Sequence, residues 1–409
     1  MNVGYLADLA LQGDQPGSGA AFRLRKPVTT SIGHADPVQS VQVDGWTTTV
    51  STKCGVVVCY CEEQASIDEI FGLALVHANR GLDYMCGLAF CDAIIDQPQN
   101  QSVTWALASQ AVTMRVTGIV SAGIGFGSVK ARVFDKDGNE RLQVSPTPEL
   151  HDALRFVRMA RTSDVLHDAY RNMFLAMESL LHHIHPQMPG VREAVWFKEA
   201  LMQADPLVPV SQLAPMNETE PIRWAYENLY RDLRSGMMHA KRAYYLPGDD
   251  SRRTQVEQAF NAVWRYTNGL MQKILHTPGR GGRLSDYSWN LMCESAFRNA
   301  YIAATGDDSR IEAEGGPLSP RDEPLIRLRP GSVVYPEPGV GFADGSCPGH
   351  EARAFGPIRR IGTIMDEVHT GAWADLAGDL IVGNTVDQFH IRIGIRNVLV
   401  DGGRIHFPM

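Results

Sequence analysis

The chain has 409 residues, of which 44% are hydrophobic and 21% are charged, and both values are ordinary for a globular protein. A formal net charge of −8 at pH 7 argues against a protein that coats nucleic acid without specificity. No apolar run is long enough for a membrane span and no secretory leader is recognisable. We therefore expect a cytoplasmic protein of two or three domains.

Metal and cofactor motifs are scarce in this sequence. The seven cysteines lie among apolar residues without a Cys-x-x-Cys pair, which favours reduced, buried thiols over metal ligands. A possible metal site is the group of three histidines at a helix end, His182, His183 and His185. The side chains of adjacent histidines on a helix diverge, however, which favours a solvated helix terminus. Phosphate-loop, metalloprotease and serine-hydrolase motifs are absent. The sequence thus predicts no cofactor and no metal.

The N-terminal part predicts a β-rich domain. Residues 1–40 are rich in Gly, Pro, Ser and Gln and predict an irregular arm. Residues 41–147 carry short β-branched runs that predict strands, interrupted by one helix that Ser66 can cap. A turn-forming segment at 135–139 between two such runs predicts a β-hairpin.

The middle part predicts a helical bundle. Residues 148–304 contain five stretches with helical periodicity and short connections, which favour an antiparallel arrangement. Residues 151–303 carry 18 basic against 16 acidic side chains, so the acidic excess lies in the flanks. An anion site is therefore expected among the helices.

The C-terminal part predicts a linker and a final β segment. Residues 305–357 are dense in Gly, Pro, Asp and Arg and predict an extended linker. Residues 358–409 end in two β-rich runs around a turn at 401–403, which predict a hairpin. Because it is too small for a domain of its own, we expect it to join the N-terminal sheet, with a partner chain as the alternative.

The central feature of the middle part is a helix predicted over residues 219–244. Thr219 can cap its first turn, where Pro221 leaves no hydrogen bond unmade. Apolar residues follow a helical stripe at Ile222, Tyr226, Leu229, Leu233 and Met237. Basic residues share another side of this segment, at Arg231, Arg234, His239, Lys241 and Arg242. Such a cationic edge favours phosphate as its ligand.

Two segments resemble the HEPN domain family, whose members include abortive-infection proteins and proteins of MauJ type. Residues 229–239 resemble its signature helix, in which an arginine is followed a few residues later by a histidine, and residues 170–181 resemble an earlier helix with a glutamate. The resemblance implies an α+β fold, with a HEPN-like antiparallel helical bundle flanked by a β-rich N-terminal domain and a C-terminal β-hairpin extension. Ser235 and Ala240 depart from the residues that many active members have.

The resemblance also implies a function, metal-independent cleavage of RNA. Arg234 would stabilise charge on the phosphate, and His239 would move the proton, leaving a 2′,3′-cyclic phosphate. Glu178 would hold one of them in place, or is an exposed helix residue instead. Further supporting or substrate-binding residues are Ser235, Arg231, Lys241, Arg242, Arg280, Arg283 and Tyr230. Family members usually act as homodimers, and an anti-phage or toxin-like member would respond to a regulatory protein or phage trigger through its β-rich flanks.

Several alternatives remain at this stage. The chain can instead be a catalytically inactive HEPN-derived binding or scaffold protein, an interpretation that Ser235, Ala240 and the overall acidity favour. Aromatic core packing is a second role for Tyr230, beside stacking on a base. The loop with Arg280 and Arg283 is either a flexible connector or a contact to RNA phosphates.

Overall fold

The chain divides into two compact units, which we describe separately. The first holds the described residues of Met1–Gly123 and Asp286–Val398, and the second those of Ile124–Ser285. The computed structural model describes residues 3–12, 17–25, 38–51, 54–88, 91–96, 100–122, 133–134, 140–141, 147–163, 165–238, 252–277, 286–306, 326–337, 339–365 and 369–397.

Strands dominate the first unit. In chain order the strands are β1 Gly4–Leu6, β2 Leu9–Ala10, β3 Ser18–Arg23, β4 Val38–Val43, β5 Trp46–Ser51, β6 Val56–Cys61, β7 Gln101–Ala108, β8 Ala111–Ala122, β9 Val133–Phe134, β10 Glu140–Arg141, β11 Ala300–Thr305, β12 Ile326–Leu328, β13 Val333–Glu337, β14 Val340–Pro348, β15 Ile358–Met365, β16 His369–Val382 and β17 Val386–Asn397. All belong to the first unit except β9 and β10, which pair with each other in the second.

Most helices lie in the second unit. In chain order the helices are α1 Ile67–Gly87, α2 Ala153–Arg161, α3 Leu166–Ile184, α4 Glu193–Ala204, a 3₁₀ turn Val210–Leu213, α5 Pro221–Trp224, a π-helix Ala225–Arg234, α6 Ser235–Met238, α7 Arg253–Ile274, α8 Asp286–Arg298 and α9 Gly349–Ala354. Only α1, α8 and α9 belong to the first unit.

A nine-stranded sheet forms the largest part of the first unit. Its order is β13-β14-β17-β8-β7-β3-β6-β5-β4, so strands from both ends of the chain lie side by side. β17 and β8 run parallel, whereas β14 pairs with β17 in the antiparallel sense. β-branched residues at 56–58 and the buried rings of Phe22, Trp105 and Phe389 fill its faces, as expected for a sheet covered on both sides.

A second sheet of six strands packs on the first. Its order is β12-β11-β15-β16-β1-β2. A Cβ atom at Gly118 of β8 would lie 2.7 Å from the Cβ atom of Ala374 on β16 and 2.9 Å from Cδ1 of Ile361 on β15. Both distances are shorter than carbon atoms tolerate, so the glycine lets the two sheets approach each other closely.

Helix α1 covers part of the nine-stranded sheet. A capping box starts it: the Ser66 hydroxyl accepts from the backbone N–H of Glu69, and the Glu69 carboxylate accepts from the backbone N–H of Ser66 at 2.9 Å. A Cβ atom at Gly81 would lie 2.2 Å from Oγ1 of Thr48 on β5, so the helix touches the sheet at this glycine.

The second unit is a group of helices around one hydrophobic core. Its largest fully buried side chains are Tyr170 and Phe174 on α3, Phe197 on α4, and Phe260 and Tyr266 on α7. The Tyr170 hydroxyl donates to the backbone carbonyl of Leu229 at 2.9 Å, which joins α3 to the π-helix. Buried tyrosines need such a partner, because an unsatisfied hydroxyl costs about 1–3 kcal/mol.

The predicted helix at 219–244 is present over 221–238 and has an unusual centre. Pro221 occupies its first turn, and α5, the π-helix and α6 follow without a break. Ala225, Leu229 and Leu233 are buried in the core. The ten π-helical residues widen the turns that carry the predicted site, and π turns are often found at functional sites.

The predicted fold class is wrong. The chain is mixed α/β, with sheets of nine and six strands. This β content argues against the predicted α+β fold, in which a HEPN-like helical bundle is the core and a β-rich N-terminal domain and a C-terminal hairpin flank it. The error has a physical cause, since the sheets join segments that are remote in sequence. The Val112 backbone N–H, for example, donates to the Asp387 carboxylate at 2.8 Å across 275 residues.

Several segments therefore differ from their predicted roles. The supposed N-terminal arm contributes β3, a buried interior strand. The supposed linker at 305–357 contains β12, β13, β14 and α9. Helix α8, expected as the fifth helix of a bundle, belongs to the unit with the sheets. Two predicted hairpins are only partly described. From the C-terminal segment, which was expected to join the N-terminal sheet, β17 lies beside β8 in the nine-stranded sheet, and residues 398–409 lie outside the described residues. The hairpin predicted around 135–139 has its strands in β9 and β10, with its turn outside the described residues.

Candidate functional site

Arg234 is the last residue of the π-helix and is held by two other helices. Its Nη2 atom lies 2.8 Å from Oε1 of Glu193, the first residue of α4, and 3.4 Å from Oε1 of Glu178 on α3. The guanidinium carbon lies 5.1 Å from the centre of the Tyr230 ring, within range of a cation–π contact. Only 20% of the side chain remains exposed, so the guanidinium is fixed in one place.

Glu178 is half-buried in the middle of α3, so it is not the exposed helix residue of the alternative interpretation. Its side chain is 12% exposed. Burial raises the pKa of the Glu178 carboxyl to about 7, since the charged form loses hydration; the Arg234 charge lowers the pKa and that of Glu193 raises it. Its 3.4 Å approach to Arg234 is an ion-pair distance without hydrogen-bond alignment. A carboxyl group that titrates near neutral pH therefore lies beside the arginine.

Tyr230 belongs to an aromatic cluster. It is 8% exposed, and its ring centre lies 5.1 Å from that of Phe197 and 5.6 Å from that of Tyr226. Burial raises the pKa of the Tyr230 hydroxyl, and a hydrogen bond to Glu193 raises it further. This environment fits aromatic packing, and the hydroxyl bound to Glu193 helps to fix that carboxylate beside Arg234. The ring of Tyr226 is the more accessible one and carries the Lys198 ammonium 4.0 Å from its centre.

The other predicted residues of this helix are placed differently. The Ser235 hydroxyl donates to the backbone carbonyl of Tyr230 at 3.0 Å, which closes the last turn of the π-helix. Arg231 is exposed and pairs with its neighbour Asp232 at 2.9 Å. Neither takes part in the ion pairs of Arg234. The predicted residues His239, Lys241, Arg242, Arg280 and Arg283 lie outside the described residues.

Glu193 is the member of this cluster that the sequence did not indicate. It lies 15 positions after Glu178 and 41 before Arg234, a spacing that follows no helical period. The antiparallel packing of α3 and α4 brings it near. One local signal exists, because a glutamate in the first turn of a helix is favoured by the helix dipole. That signal indicates a helix start and says nothing about Arg234.

The charges of this cluster are nearly balanced. One guanidinium faces two carboxyl groups, and Glu178 carries a proton part of the time at neutral pH because its pKa is about 7. The arginine is thus oriented, and its charge is offset by one to two negative charges. Such a centre can position a guanidinium and can exchange a proton through Glu178, which are the two capacities that phosphoryl chemistry needs.

The histidines at the end of α3 show no shared metal arrangement. The His183 ring centre lies 5.2 Å from that of His151, the His182 ring faces Trp196 at 6.0 Å, and His185 Nε2 lies 3.6 Å from Oε2 of Glu199. Each histidine thus has a different neighbour. Within the described ranges, no three His, Cys, Asp or Glu side chains are grouped closely enough to hold a metal ion.

Comparison with known proteins found no match: no family model, no curated protein and no solved structure matches the chain. Within the described part of the chain, every helix is too short or too polar to cross a bilayer.

Proposed function

We propose that the protein is a metal-independent endoribonuclease with Arg234 and His239 at its centre. The observation that carries the proposal is the fixation of Arg234 by Glu178 and Glu193 from two other helices. A guanidinium that is oriented before substrate arrives can stabilise a charged phosphate without reorganisation. His239 follows this arginine by five positions in the sequence, which supports the assignment.

The proposed reaction is an internal transfer within RNA. The 2′-oxygen attacks the neighbouring phosphorus while the bond to the 5′-oxygen breaks. His239 accepts the proton of the 2′-hydroxyl and returns it to the departing 5′-oxygen, so the products are a 2′,3′-cyclic phosphate and a 5′-hydroxyl. Arg234 offsets the additional negative charge on the phosphate oxygens. Glu178 and Glu193 act through Arg234, since they set its position.

The test is incubation of labelled single-stranded RNA with the purified protein in EDTA. We expect cleavage by the wild type and a loss of about 10² to 10⁴-fold for His239→Ala, the range for a missing acid–base group. Arg234→Ala should lose a comparable amount, and melting temperatures show whether each variant folds. Arg223→Ala is the matched control, because Arg223 is an exposed arginine of the same helix that pairs with Glu220 and Glu227.

A second function is favoured by the charge balance of the same cluster. Two carboxyl groups face one guanidinium, which weakens the attraction of Arg234 for a phosphate. Ser235 and Ala240 also differ from the residues of many active family members. The second proposal is a non-catalytic binding or scaffold protein. It replaces the first if the wild type does not cleave RNA, with or without candidate protein partners or phage extract.

The assembly and location belong to the same proposal. We propose a cytoplasmic homodimer whose β-rich part responds to a regulatory protein or phage trigger. A dimer would place two Arg234 and His239 pairs around one RNA groove. Light scattering at micromolar concentration should give twice the chain mass of 45.1 kDa. A single chain mass would remove the shared groove from the proposal.

A further inference from the structure

A row of polar side chains crosses four neighbouring strands of the nine-stranded sheet. Asp344 of β14 pairs across the sheet with Arg392 of β17, Arg392 with Thr117 of β8, and Thr117 with Ser102 of β7. Directly paired residues share one face of a sheet. Arg115 lies two positions before Thr117 and therefore points to the same face. Four strands thus direct hydroxyl, carboxylate and guanidinium groups to one place.

These side chains line a cavity of about 250 Å³, which we call the arginine pocket. Three arginines, Arg115, Arg392 and Arg396, contribute to its wall, together with the hydroxyl groups of Ser102 and Thr117. Guanidinium groups and hydroxyls are the donors that proteins use to bind phosphate oxygens. Asp68 also lines the pocket, so its charged side chains are three arginines and one carboxylate, an excess of positive charge that matches an anion.

Arg115 is one of two buried arginines in this wall, the other being Arg396. Arg115 is 7% exposed, and its Nη1 atom lies 2.7 Å from Oδ1 of Asp68, whose side chain is 73% exposed. Arg392 shares the same Asp68 oxygen at 3.8 Å, although its main partner is Asp344, which it contacts through two hydrogen bonds of 2.7 and 3.0 Å. Burial lowers the pKa of Arg115, and the Arg392 charge lowers it further. An anion in the pocket would offset both the lost hydration of Arg115 and its repulsion from Arg392.

Two donors in the wall have no hydrogen-bond acceptor. Among the described residues, neither Nε of Arg115 nor Oγ of Ser102 has a partner. Ser102 is 2% exposed and lines the cavity as well. Buried donors without partners are rare in folded proteins, because each loses its hydration without gaining a hydrogen bond. A bound ligand with acceptor oxygens explains why these two are retained.

Apolar and aromatic side chains also line the pocket. Phe71 of α1 and Phe342 of β14 contribute their rings, beside Ile119 and Val340. A Cβ atom at Gly394 would lie 2.6 Å from Cε1 of Phe342, so the glycine between Arg392 and Arg396 leaves room for this ring. Aromatic walls of this kind accept a planar ring by stacking. The pocket therefore combines arginines, which can bind an anion, with aromatic side chains, which can stack on a planar ring.

We propose that the arginine pocket binds a small organic phosphate with a planar ring, of the size of a nucleoside monophosphate. Arg115 and Ser102 bind the phosphate oxygens, Arg392 and Arg396 complete the positive wall, and Phe71 and Phe342 enclose the ring. The volume lies just below the usual range of about 300–1,000 Å³ for ligand pockets, so the pocket has room for a single nucleotide at most and not for an oligonucleotide. This inference does not rest on the proposed ribonuclease activity.

The test is isothermal titration calorimetry on the full chain. The probes are adenosine and uridine 5′-monophosphate, with adenosine and inorganic phosphate as their two halves. We expect saturable binding of a monophosphate, at least tenfold tighter than of adenosine or of phosphate alone. Arg115→Gln should weaken it at least tenfold, since charge-assisted hydrogen bonds contribute about 1.5–3 kcal/mol.

Two further variants keep the test decisive. Ser102→Ala removes one hydroxyl and should weaken binding about threefold or more, which serves if Arg115→Gln does not fold. Arg359→Gln is the matched control, because Arg359 also forms a bidentate pair, with Asp379, and does not line the pocket. The proposal is overturned if neither monophosphate binds at millimolar concentration, if adenosine binds as tightly as its monophosphate, or if the folded pocket variants bind like the wild type.

Discussion

Each unit of the protein contains a cluster in which arginine and carboxyl groups meet, and the balance of charge differs between the two clusters. In the helical unit, Arg234 lies between two carboxyl groups, and one of these, Glu178, titrates near neutral pH. In the arginine pocket, three arginines meet two carboxylates, since Arg115 and Arg392 share Asp68 and Arg392 also pairs with Asp344. The first arrangement orients a cation and offsets its charge, while the second collects positive charge around a cavity. The same side chain thus serves positioning in one unit and anion binding in the other.

The comparison also shows that a sequence motif and an anion site need not coincide. The cationic edge at residues 231–242 was predicted to bind phosphate. The arginines of this edge that the structure describes, Arg231 and Arg234, pair with carboxylates. The basic residues of the pocket are scattered over two strands that lie more than 270 positions apart in the chain. Only the pairing of β8 with β17 brings them together.

The largest expected effect tests whether Arg234 acts through the planar, oriented donors of its guanidinium group. Arg234→Lys keeps the charge and loses the planar set of donors that reaches Glu178, Glu193 and a substrate phosphate. We expect RNA cleavage to fall by about 10² to 10³-fold, as when an oriented donor is removed from a transition state. Single-turnover cleavage rates measure the effect. Arg223→Lys is the control, and equal rates for Arg234→Lys and the wild type would contradict this role.

The next effect concerns the proton of Glu178. Its pKa is raised to about 7 in the folded protein, against 4.5 for an ordinary glutamate, so the folded state holds the proton more tightly than the unfolded chain. The stability that this group contributes is greatest below about pH 4.5 and is lost as the pH rises to about 7. Glu178→Gln has no such proton. Its free energy of unfolding relative to the wild type should therefore rise by about 3 kcal/mol between pH 4.5 and 8.

Urea unfolding at several pH values measures this difference. A difference between Glu178→Gln and the wild type that stays constant over the range would contradict a raised Glu178 pKa. It would also remove the proton-exchanging group from the cluster, leaving Arg234 between two permanently charged carboxylates. The two clusters would then differ only in the number of their charged groups.

A smaller effect tests the shape of the arginine pocket. Gly394→Ala places a Cβ atom 2.6 Å from Cε1 of Phe342, so the ring must move. We expect a loss of about 1–3 kcal/mol in the free energy of unfolding, as for other overpacked sites. Gly72→Ala is the matched control inside α1, where nothing lies within 4 Å of the added atom, and it should stabilise the helix by about 0.5–1 kcal/mol. Opposite signs in chemical denaturation support the account, and equal effects contradict it.

The smallest expected effect is that of an exposed arginine pair. Arg223 lies on the surface between Glu220 and Glu227, where water screens the charges. Arg223→Ala should leave the melting temperature and the cleavage rate unchanged within error. A clear loss in either would mean that exposed charges of this helix matter as much as the half-buried Arg234.

The sequence predicted local features better than long-range ones. The helix start at Pro221, the cap at Ser66 and the proximity of Glu178 to Arg234 depend on neighbours within a few turns or on the resemblance of two helices. The π-helical centre was not predictable, because its apolar spacing also fits an ordinary helix. Tertiary packing decides between the two.

The sheets were the part that sequence patterns could not provide. β14 lies in a segment rich in glycine and proline, which reads as a linker until β13 and β17 supply its hydrogen-bond partners. β3 was likewise assigned to an arm, although it pairs with β6 along one edge and with β7 along the other. Strand pairing over hundreds of residues leaves no local signature, and the predicted fold class failed for that reason.

The most direct test of the ribonuclease proposal is the chemistry of the RNA ends. Wild-type protein in EDTA should convert a single-stranded RNA into fragments that mass spectrometry identifies as carrying 2′,3′-cyclic phosphate and 5′-hydroxyl ends, and His239→Ala should yield none. Fragments with 5′-phosphate ends, or the same cyclic ends produced equally by His239→Ala, would contradict the proposed centre at Arg234 and His239.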